Sequence, residues 1–381
     1  MANAQHRYKS NRCYLHIPTR KLITAATLTS CAAKSTADGA AVLSHSIRLS
    51  SYPLHPTSQY AFKMIVFAHP DTSQCLEPFY KLGYEVHIKE VPIDAKQIKG
   101  DFLREHVVKS GCCGDKEFLK LYSYTLVDYP IVVQLDLDSL IVQPLDDLFD
   151  AMLDRNKKGL NVPVQYGKEM PQRVEAFFTR DYNMVHVGHK HPGVQGGFIV
   201  LRPNIDYFEE YKRVILEGNF KANSGWGGEG YGGYFGAQQI QGLCSYFFDR
   251  LHPGTAVELN RCIYNSMKDS PYDVEDGKKL CVDGKETCED CRKTNFSDIK
   301  SIHFTICQKP WICPLGVIKN GNLCREFHKK WFEIRKNWED TMNLAEHTES
   351  EKASPADFHN DVFQGFCRGQ GPRNYVSIQL S

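Results

Sequence analysis

The chain has 381 residues, of which 42% are hydrophobic and 24% are charged, so its composition is that of a globular protein with a substantial core. Its 46 basic and 45 acidic residues give a formal charge of +1, which provides no net field to attract nucleic acid or an anionic membrane. No apolar run reaches the roughly 18 residues that a membrane span requires, so any anion-binding site must be local and no span is expected.

The N-terminal part alternates short apolar segments with helical patterns. Residues 1–20 are polar and basic and are interpreted as a tail. Strands are predicted at residues 22–30, 62–67 and 83–88. Asp38 is expected to cap a helix over residues 39–47, in which apolar side chains recur about one turn apart. This alternation predicts an α/β fold with βαβ units and a mainly parallel sheet, whose ligands bind beyond the carboxyl ends of the strands.

Two acidic residues follow the next predicted strand. Residues 116–127 have a helical pattern and lead into an apolar strand at residues 129–135. That strand continues directly into Asp136, Leu137 and Asp138. The sequence therefore places two carboxylates at the edge of the sheet where ligands are expected.

The C-terminal part contains fewer regular patterns. Strands are predicted at residues 197–201 and 301–305, a Gly-rich turn region at 225–236, a surface insertion at 266–298, a helix at 324–338 and a weakly ordered tail at 341–381. We expect one catalytic domain over residues 21–340.

Asp136 and Asp138 are candidate metal ligands. Two hard oxygen donors at a sheet edge suit Mg²⁺ or Mn²⁺, especially when the cation is shared with phosphates. The structural alternative is that Asp138 caps a turn and Asp136 pairs with a surface cation. The position of the pair directly after an apolar strand favours the metal site.

A second candidate segment is HFTICQKPW at residues 303–311, again at the end of an apolar strand. His303 can add a nitrogen ligand to a carboxylate-bound metal, and Lys309 can supply a cation for phosphate oxygens. The alternative is a core histidine beside ordinary apolar packing.

These segments occur together with PLDDLFD at residues 144–150, QGGFIVLRP at 195–203 and QGLCSYFF at 241–248. Over residues 22–335 the motifs and their order resemble glycosyltransferase family 8, particularly its glycogenin-like branch. LDLDSLIVQPLDDLF is similar to the metal-binding segment of that family, and HFTICQKPW is similar to its closing segment.

The resemblance implies a GT-A fold with a mixed, mostly parallel sheet flanked by helices, a UDP-sugar donor and Mn²⁺, with Mg²⁺ as the alternative. It implies a retaining transfer of a hexosyl group to a glycan, protein or lipid hydroxyl. It assigns Asp136, Asp138 and His303 to the metal. The residues it assigns to the nucleotide-sugar are Leu28, Ser30, Lys120, Leu137, Gly196 and Lys309, beside the two aspartates. The residues it assigns to the reacting sugar are Lys120, Gln195 and Gln241.

Some positions depart from the family pattern. Ile240 stands where the family usually has an acid before Gln241, and Gln238, Gln239 or Glu229 are candidates to replace that acid. Ile306 replaces a glycine of the closing segment, and Cys31 stands where the nucleotide loop often has asparagine. The alternative function is therefore a UDP-sugar-binding pseudoenzyme with a regulatory or scaffolding role. An unrelated phosphatase or nucleotidyltransferase is a third hypothesis.

The chain has 14 cysteines, most of them from Cys244 onward. Disulfides are the preferred interpretation, ahead of free thiols and of a zinc site that includes Cys288 and Cys291. Disulfides favour a Golgi or secretory lumen, whereas the lack of a recognisable leader leaves the cytoplasm open. Cys112 and Cys113 are interpreted as structural. A homodimer is left open, and the tyrosines of the Gly-rich region are weighed as self-glucosylation sites but not favoured.

Overall fold

A seven-stranded mixed sheet forms the centre of the computed structural model, which describes residues 20–29, 35–153, 162, 164, 170–187, 189–275, 277–314, 322–342 and 366–378. The strands are β1 Arg20–Leu28, β2 Tyr60–Ala68, β3 Glu85–Ile88, β4 Val132–Leu135, β5 Ser139–Ile141, β6 Ala176–Arg180, β7 Val194–Leu201, β8 Phe220–Lys221, β9 Gly225–Trp226, β10 Ala256–Glu258, β11 Tyr272–Glu275, β12 Lys278–Cys281 and β13 Ser301–His303. The α-helices are α1 Ser35–Leu49, α2 Glu77–Lys81, α3 Asp101–His106, α4 Asp146–Met152, α5 Ile205–Glu217, α6 Ile240–Tyr246 and α7 Asn322–Thr341.

The order of strands in the sheet is β10-β6-β7-β4-β1-β2-β3. All neighbours pair in parallel except β7, which is antiparallel to both β4 and β6. Helices cover both faces of the sheet, so successive residues of β1 enter different cores. Leu22 packs with α1 and α4, whereas Ile23 packs with α5 and α6. A strand buried on both faces reads as a continuous apolar run, as observed. The predicted mixed, mostly parallel sheet flanked by helices is confirmed.

Two predicted helices differ in the structure. Residues 116–127 were predicted as an α-helix, but the chain forms a 3₁₀ segment over Gly114–Thr125. The first helix begins at Ser35, so Asp38 lies inside its first turn and the predicted cap is wrong. The Asp38 carboxylate instead accepts hydrogen bonds from the Tyr375 hydroxyl at 2.6 Å and the Ile378 amide at 3.0 Å. Contacts with the distant C-terminus thus decide the role of this residue.

The predicted strand at residues 301–305 is shorter and lies outside the main sheet. It forms β13, which pairs antiparallel with β5 and places His303 opposite Ser139. The predicted strand at residues 197–201 lies within β7, while β6 and β10 were not predicted.

Four disulfides occur among the described residues, in agreement with the preferred interpretation of the cysteines. They are Cys262–Cys291, Cys281–Cys288, Cys307–Cys324 and Cys313–Cys367. Cys262–Cys291 joins the insertion, whose β11 and β12 form a hairpin, to the domain, and Cys281–Cys288 lies within the insertion. The last joins residues 366–378, part of the predicted tail, to the segment after β13.

No described helix is both long enough and apolar enough to cross a bilayer.

Candidate metal and donor site

The turn that follows β4 carries Asp136 and Asp138. The buried β4 strand ends at Leu135, and the amide of Asp136 then donates a hydrogen bond to the Gly197 carbonyl of β7 at 3.2 Å. The Asp138 carbonyl accepts from the amide of Phe304 at 3.0 Å. Because β5 pairs with β13, the end of β13 lies against this turn. Strand pairing therefore positions His303 beside the two aspartates.

The three side chains converge on one point. His303 Nε2 lies 3.3 Å from Asp138 Oδ1 and 3.9 Å from Asp136 Oδ2. One ligand atom from each residue lies within 4.8 Å of the others. A Cβ atom at Gly197 would overlap the His303 ring and lie 3.0 Å from Asp136 Oδ2. A glycine is therefore required behind this constellation.

The donor set fits a divalent cation. Two carboxylate oxygens and one imidazole nitrogen suit Mn²⁺ or Mg²⁺, and the lack of thiolates disfavours softer metals at this point. The three side chains meet in a space that is free because Gly197 has no Cβ atom. A Cβ atom at this position would fill that space. The metal site predicted for Asp136, Asp138 and His303 is thus geometrically possible, and metal binding itself remains a prediction.

The electrostatics of the group reflect its burial. Burial alone would raise the pKa of Asp138, but the His303 and Lys309 charges lower it below its usual range. Burial raises the pKa of Asp136, with Lys120 opposing and the Glu117 and Asp138 carboxylates adding to the effect. Burial lowers the pKa of His303, yet the Asp138 carboxylate raises it overall. His303 and Lys309 therefore stabilise Asp138 as an anion, whereas Lys120 offsets the burial of Asp136 only in part.

Two lysines approach the aspartates from different sides. Lys309 pairs with Asp138 and keeps 44% of its side chain exposed, so its ammonium can turn towards an anion in the cleft. Lys120 is only 5% exposed and lies 2.8 Å from Asp136 and 3.0 Å from Glu117. It also donates to the Gly196 carbonyl at 3.1 Å. Lys120 is thus a buried charge held by two carboxylates, whereas Lys309 is partly exposed and pairs with one.

A cleft of about 380 Å³ opens beside these residues. Its lining includes the predicted site residues Lys120, Asp136, Asp138, Gln195, Gly196, Gln241, His303 and Lys309. The Gln195 side-chain oxygen accepts from the Gly197 amide at 2.6 Å, which fixes that side chain at the floor of the cleft. The structure therefore brings together residues that are up to 189 positions apart, from Lys120 to Lys309.

Asp181 is a cleft carboxylate that the sequence analysis missed. It follows β6, whose carboxyl end lies at the same edge as that of β4 because both strands are antiparallel to β7. Its Oδ2 accepts a hydrogen bond from Gln241 Nε2 at 3.4 Å. Burial raises its pKa to about 6. An acid directly after a short apolar segment, AFFTR, was the available signal.

Asp181 is also relevant to Ile240, the position at which the family resemblance led us to expect an acid. Ile240 lines the cleft without a charge, and Glu229 pairs with Arg250 at 2.7 Å and does not line the cleft. Gln239 lines the cleft, but its amide nitrogen donates to the carbonyls of Ser110 and Gly114. Asp181 is therefore a better candidate for a negative charge facing the cleft than the replacements proposed from the sequence.

Other predicted residues lie outside this cleft or outside the described residues. Leu28 is buried at the end of β1, and Leu137 packs against the core that includes α1, so neither lines the cleft. Ser30 and Cys31 lie outside the described residues.

The tyrosines of the Gly-rich region are engaged in packing. Tyr231 is buried and stacks on His191 with ring centroids 4.1 Å apart. Tyr234 contacts His189 edge-to-face at 5.5 Å. Phe235, by contrast, is exposed and lines the cleft.

Comparison with known proteins gives matches among solved structures only. No protein-family model and no curated protein matches the chain. It is similar to the bifunctional glycosyltransferase WbbM, at 12% identity over 85% of this chain and 51% of that one, with a TM-score of 0.43. It is also similar to mouse xyloside xylosyltransferase 1, at 12% identity over 65% and 87%, with a TM-score of 0.39.

A third similar structure is the galactosyltransferase LgtC in complex with donor and acceptor sugar analogs. The identity is 12% over 87% of this chain and 98% of that one, and the TM-score is 0.42. The chain spans about half of the length of WbbM. Similarity at this level carries no argument about the reaction, so the function is argued from the site.

Proposed function

We propose that this chain is a GT-A glycosyltransferase resembling family 8, which transfers a hexosyl group from a UDP-sugar to a hydroxyl of a glycan, protein or lipid. The observation that carries the proposal is the convergence of Asp136, Asp138 and His303 beside Lys309 in one cleft. A cation-binding group next to a mobile lysine is what a departing diphosphate requires.

In this proposal Asp136, Asp138 and His303 hold Mn²⁺ or Mg²⁺. The cation, when bound, offsets the negative charge of the donor diphosphate and so favours its departure. Lys309 leaves Asp138 and contacts the diphosphate oxygens, because its side chain is partly exposed at the cleft and only one carboxylate holds it. Lys120 stays in place and neutralises Asp136 and Glu117.

The transfer proceeds with retention at the anomeric carbon. The bond from that carbon to the diphosphate oxygen breaks, and a bond to the acceptor oxygen forms on the same face. The acceptor proton passes to the departing diphosphate, so no protein base is needed. Asp181, held by Gln241, supplies negative charge towards the sugar as positive charge develops on its ring.

A donor-binding protein without turnover is the second candidate. It is favoured by Ile240, which places an apolar side chain in the cleft wall where the family usually has an acid. Ile306 is 41% exposed at the same cleft, where the family usually has glycine. Donor binding and turnover must therefore be measured separately.

A panel of UDP-hexoses with Mn²⁺ tests the proposal. We expect one donor to bind with a Kd that rises when the metal is chelated, and to release UDP with a sugar added to an acceptor, detected by mass. Binding without UDP release would favour the second candidate. Absence of metal-dependent binding for every donor would contradict both.

Asp181 gives the proposed transfer a predicted pH dependence. Its pKa is about 6, so the carboxylate form is lost as the pH falls through that value. We expect the transfer rate to fall in the same range if Asp181 acts as a carboxylate. Asp181→Asn should lower the rate about 100-fold and remove this acidic limb, as measured by pH–rate profiles.

The control for this prediction is Asp269→Asn. Asp269 is also buried, and its pKa is raised to about 7 by burial, but it does not line the cleft. An acidic limb that persists in Asp181→Asn and disappears in Asp269→Asn would contradict the assignment to Asp181.

A further inference from the structure

A second group of metal-ligating atoms lies at the rim of the cleft. The Sγ atoms of Cys112 and Cys113 are 2.7 Å apart, and Cys112 Sγ lies 3.4 Å from Glu117 Oε1. One ligand atom from each of the three residues lies within 4.8 Å of the others. Neither thiol is in a disulfide, although four disulfides occur elsewhere in the described residues.

The turn that carries the two thiols is held in place from the cleft. Gly111 and Gly114 have φ angles of 59° and 63°, in the left-handed region that favours glycine. The Gln239 amide donates to the carbonyls of Ser110 and Gly114, on the two sides of the cysteines. A Cβ atom at Gly111 would overlap the Gln239 side chain. The hydrogen bonds from Gln239 therefore hold the turn that carries the two thiols in one conformation.

The ligand chemistry differs from that of the first site. Two thiolates and one carboxylate suit a soft or borderline cation such as Zn²⁺, whereas Mn²⁺ and Mg²⁺ prefer oxygen donors. Cys112 is exposed and Cys113 is half-buried, so a cation can reach the sulfurs from solvent. Three protein ligands also leave a position open for water.

We propose that Cys112, Cys113 and Glu117 form a separate binding site for a thiophilic divalent cation, of which Zn²⁺ is the physiological example. Binding would replace the two S–H bonds by bonds from the cation to sulfur, release both protons to water, and use a carboxylate oxygen of Glu117. No oxidant takes part.

This site is connected to the first one by two ion pairs. Glu117 Oε2 lies 3.0 Å from Lys120 Nζ, and the same ammonium lies 2.8 Å from Asp136 Oδ1. A cation on Glu117 weakens the attraction of that carboxylate for Lys120 and leaves the lysine more strongly on Asp136. Occupation of the thiol site is therefore expected to weaken cation binding by Asp136, Asp138 and His303.

The test uses Cd²⁺ as a spectroscopic substitute for Zn²⁺ on the full chain, with its disulfides intact, handled without oxygen or thiol reductants and free of other metals. We expect Cd²⁺ to produce the ultraviolet charge-transfer band of cadmium thiolate, and Zn²⁺ to remove it by competition. The variant C112S/C113S should lack the band while retaining a normal unfolding transition.

The matched controls separate the two sites. Asp138→Asn should keep the cadmium band, because it alters only the oxygen and nitrogen site. Cys244→Ser should also keep it, since Cys244 is a buried thiol that does not belong to the group of Cys112, Cys113 and Glu117. A band that survives in C112S/C113S, or the absence of a band in the wild-type chain, would overturn the proposal. Neither result depends on whether the chain transfers sugar.

Discussion

Replacing Asp138 by asparagine is expected to lower the rate of sugar transfer by about 100-fold or more at any fixed concentration of Mn²⁺. Asparagine has nearly the same shape as aspartate, but it removes the negative charge that His303 and Lys309 both face. A cation held by the three residues would then lose an anionic ligand, and Lys309 loses the carboxylate with which it pairs. The apparent affinity for Mn²⁺ should fall together with the rate.

The measurement is UDP release as a function of Mn²⁺ concentration, with metal binding followed separately by calorimetry. Asp128→Asn is the matched control, because Asp128 is an exposed aspartate shortly before β4, at the opposite end of that strand from Asp138. It should leave both quantities unchanged. Equal turnover in Asp138→Asn and the wild type, at every metal concentration, would rule out the proposed role of this residue.

Replacing Lys120 by methionine is expected to lower the free energy of unfolding by about 3 kcal/mol in the absence of metal. Methionine preserves the apolar stem of the side chain but removes the ammonium that lies between Asp136 and Glu117. Burial then opposes the ionised forms of Asp136 and Glu117, and Asp136 keeps only the more distant His303, at 3.9 Å, as a compensating partner. This loss of about 3 kcal/mol is at the lower end of the range for removing one partner of a buried ion pair, because 29% of the Asp136 side chain is exposed.

Chemical denaturation in the presence of a chelator measures this effect. The double variant E117Q/K120M should recover part of the loss, since it also removes one of the two carboxylates that have lost their ion pair with Lys120. Lys116→Met provides the control, because Lys116 lies in the same 3₁₀ segment and pairs with the exposed Asp71. Its effect should stay within about 1 kcal/mol. Equal losses in the two single variants would show that burial of Lys120 has no special energetic role.

The sequence predicted the parts of the fold that depend on local pattern. Strands β1 and β2 were found because strands buried on both faces are continuous apolar runs between turn signals. The aspartate pair after β4 was found because it directly follows such a run. Helix α7 was found because its apolar face recurs with helical period.

The roles of residues that depend on contacts between distant segments could not be assigned from the local sequence pattern. Asp181 reaches the cleft because β6 pairs with β7, and neither the strand nor its pairing was evident from a five-residue segment. The connection of Glu117 to Asp136 runs through Lys120 and requires the 3₁₀ segment to lie against the end of β4. Disulfide partners were likewise not deducible from spacing.

The sequence by itself determined which segments are apolar, where carboxylates, imidazole and lysine follow them, and that the cysteines favour disulfides. Only the tertiary structure decided that His303 meets Asp136 and Asp138, since this contact depends on the antiparallel pairing of β13 with β5. The physical reason is that local pattern records which side chains must be buried. It does not record which distant segment buries them, because that depends on packing among all elements of the chain.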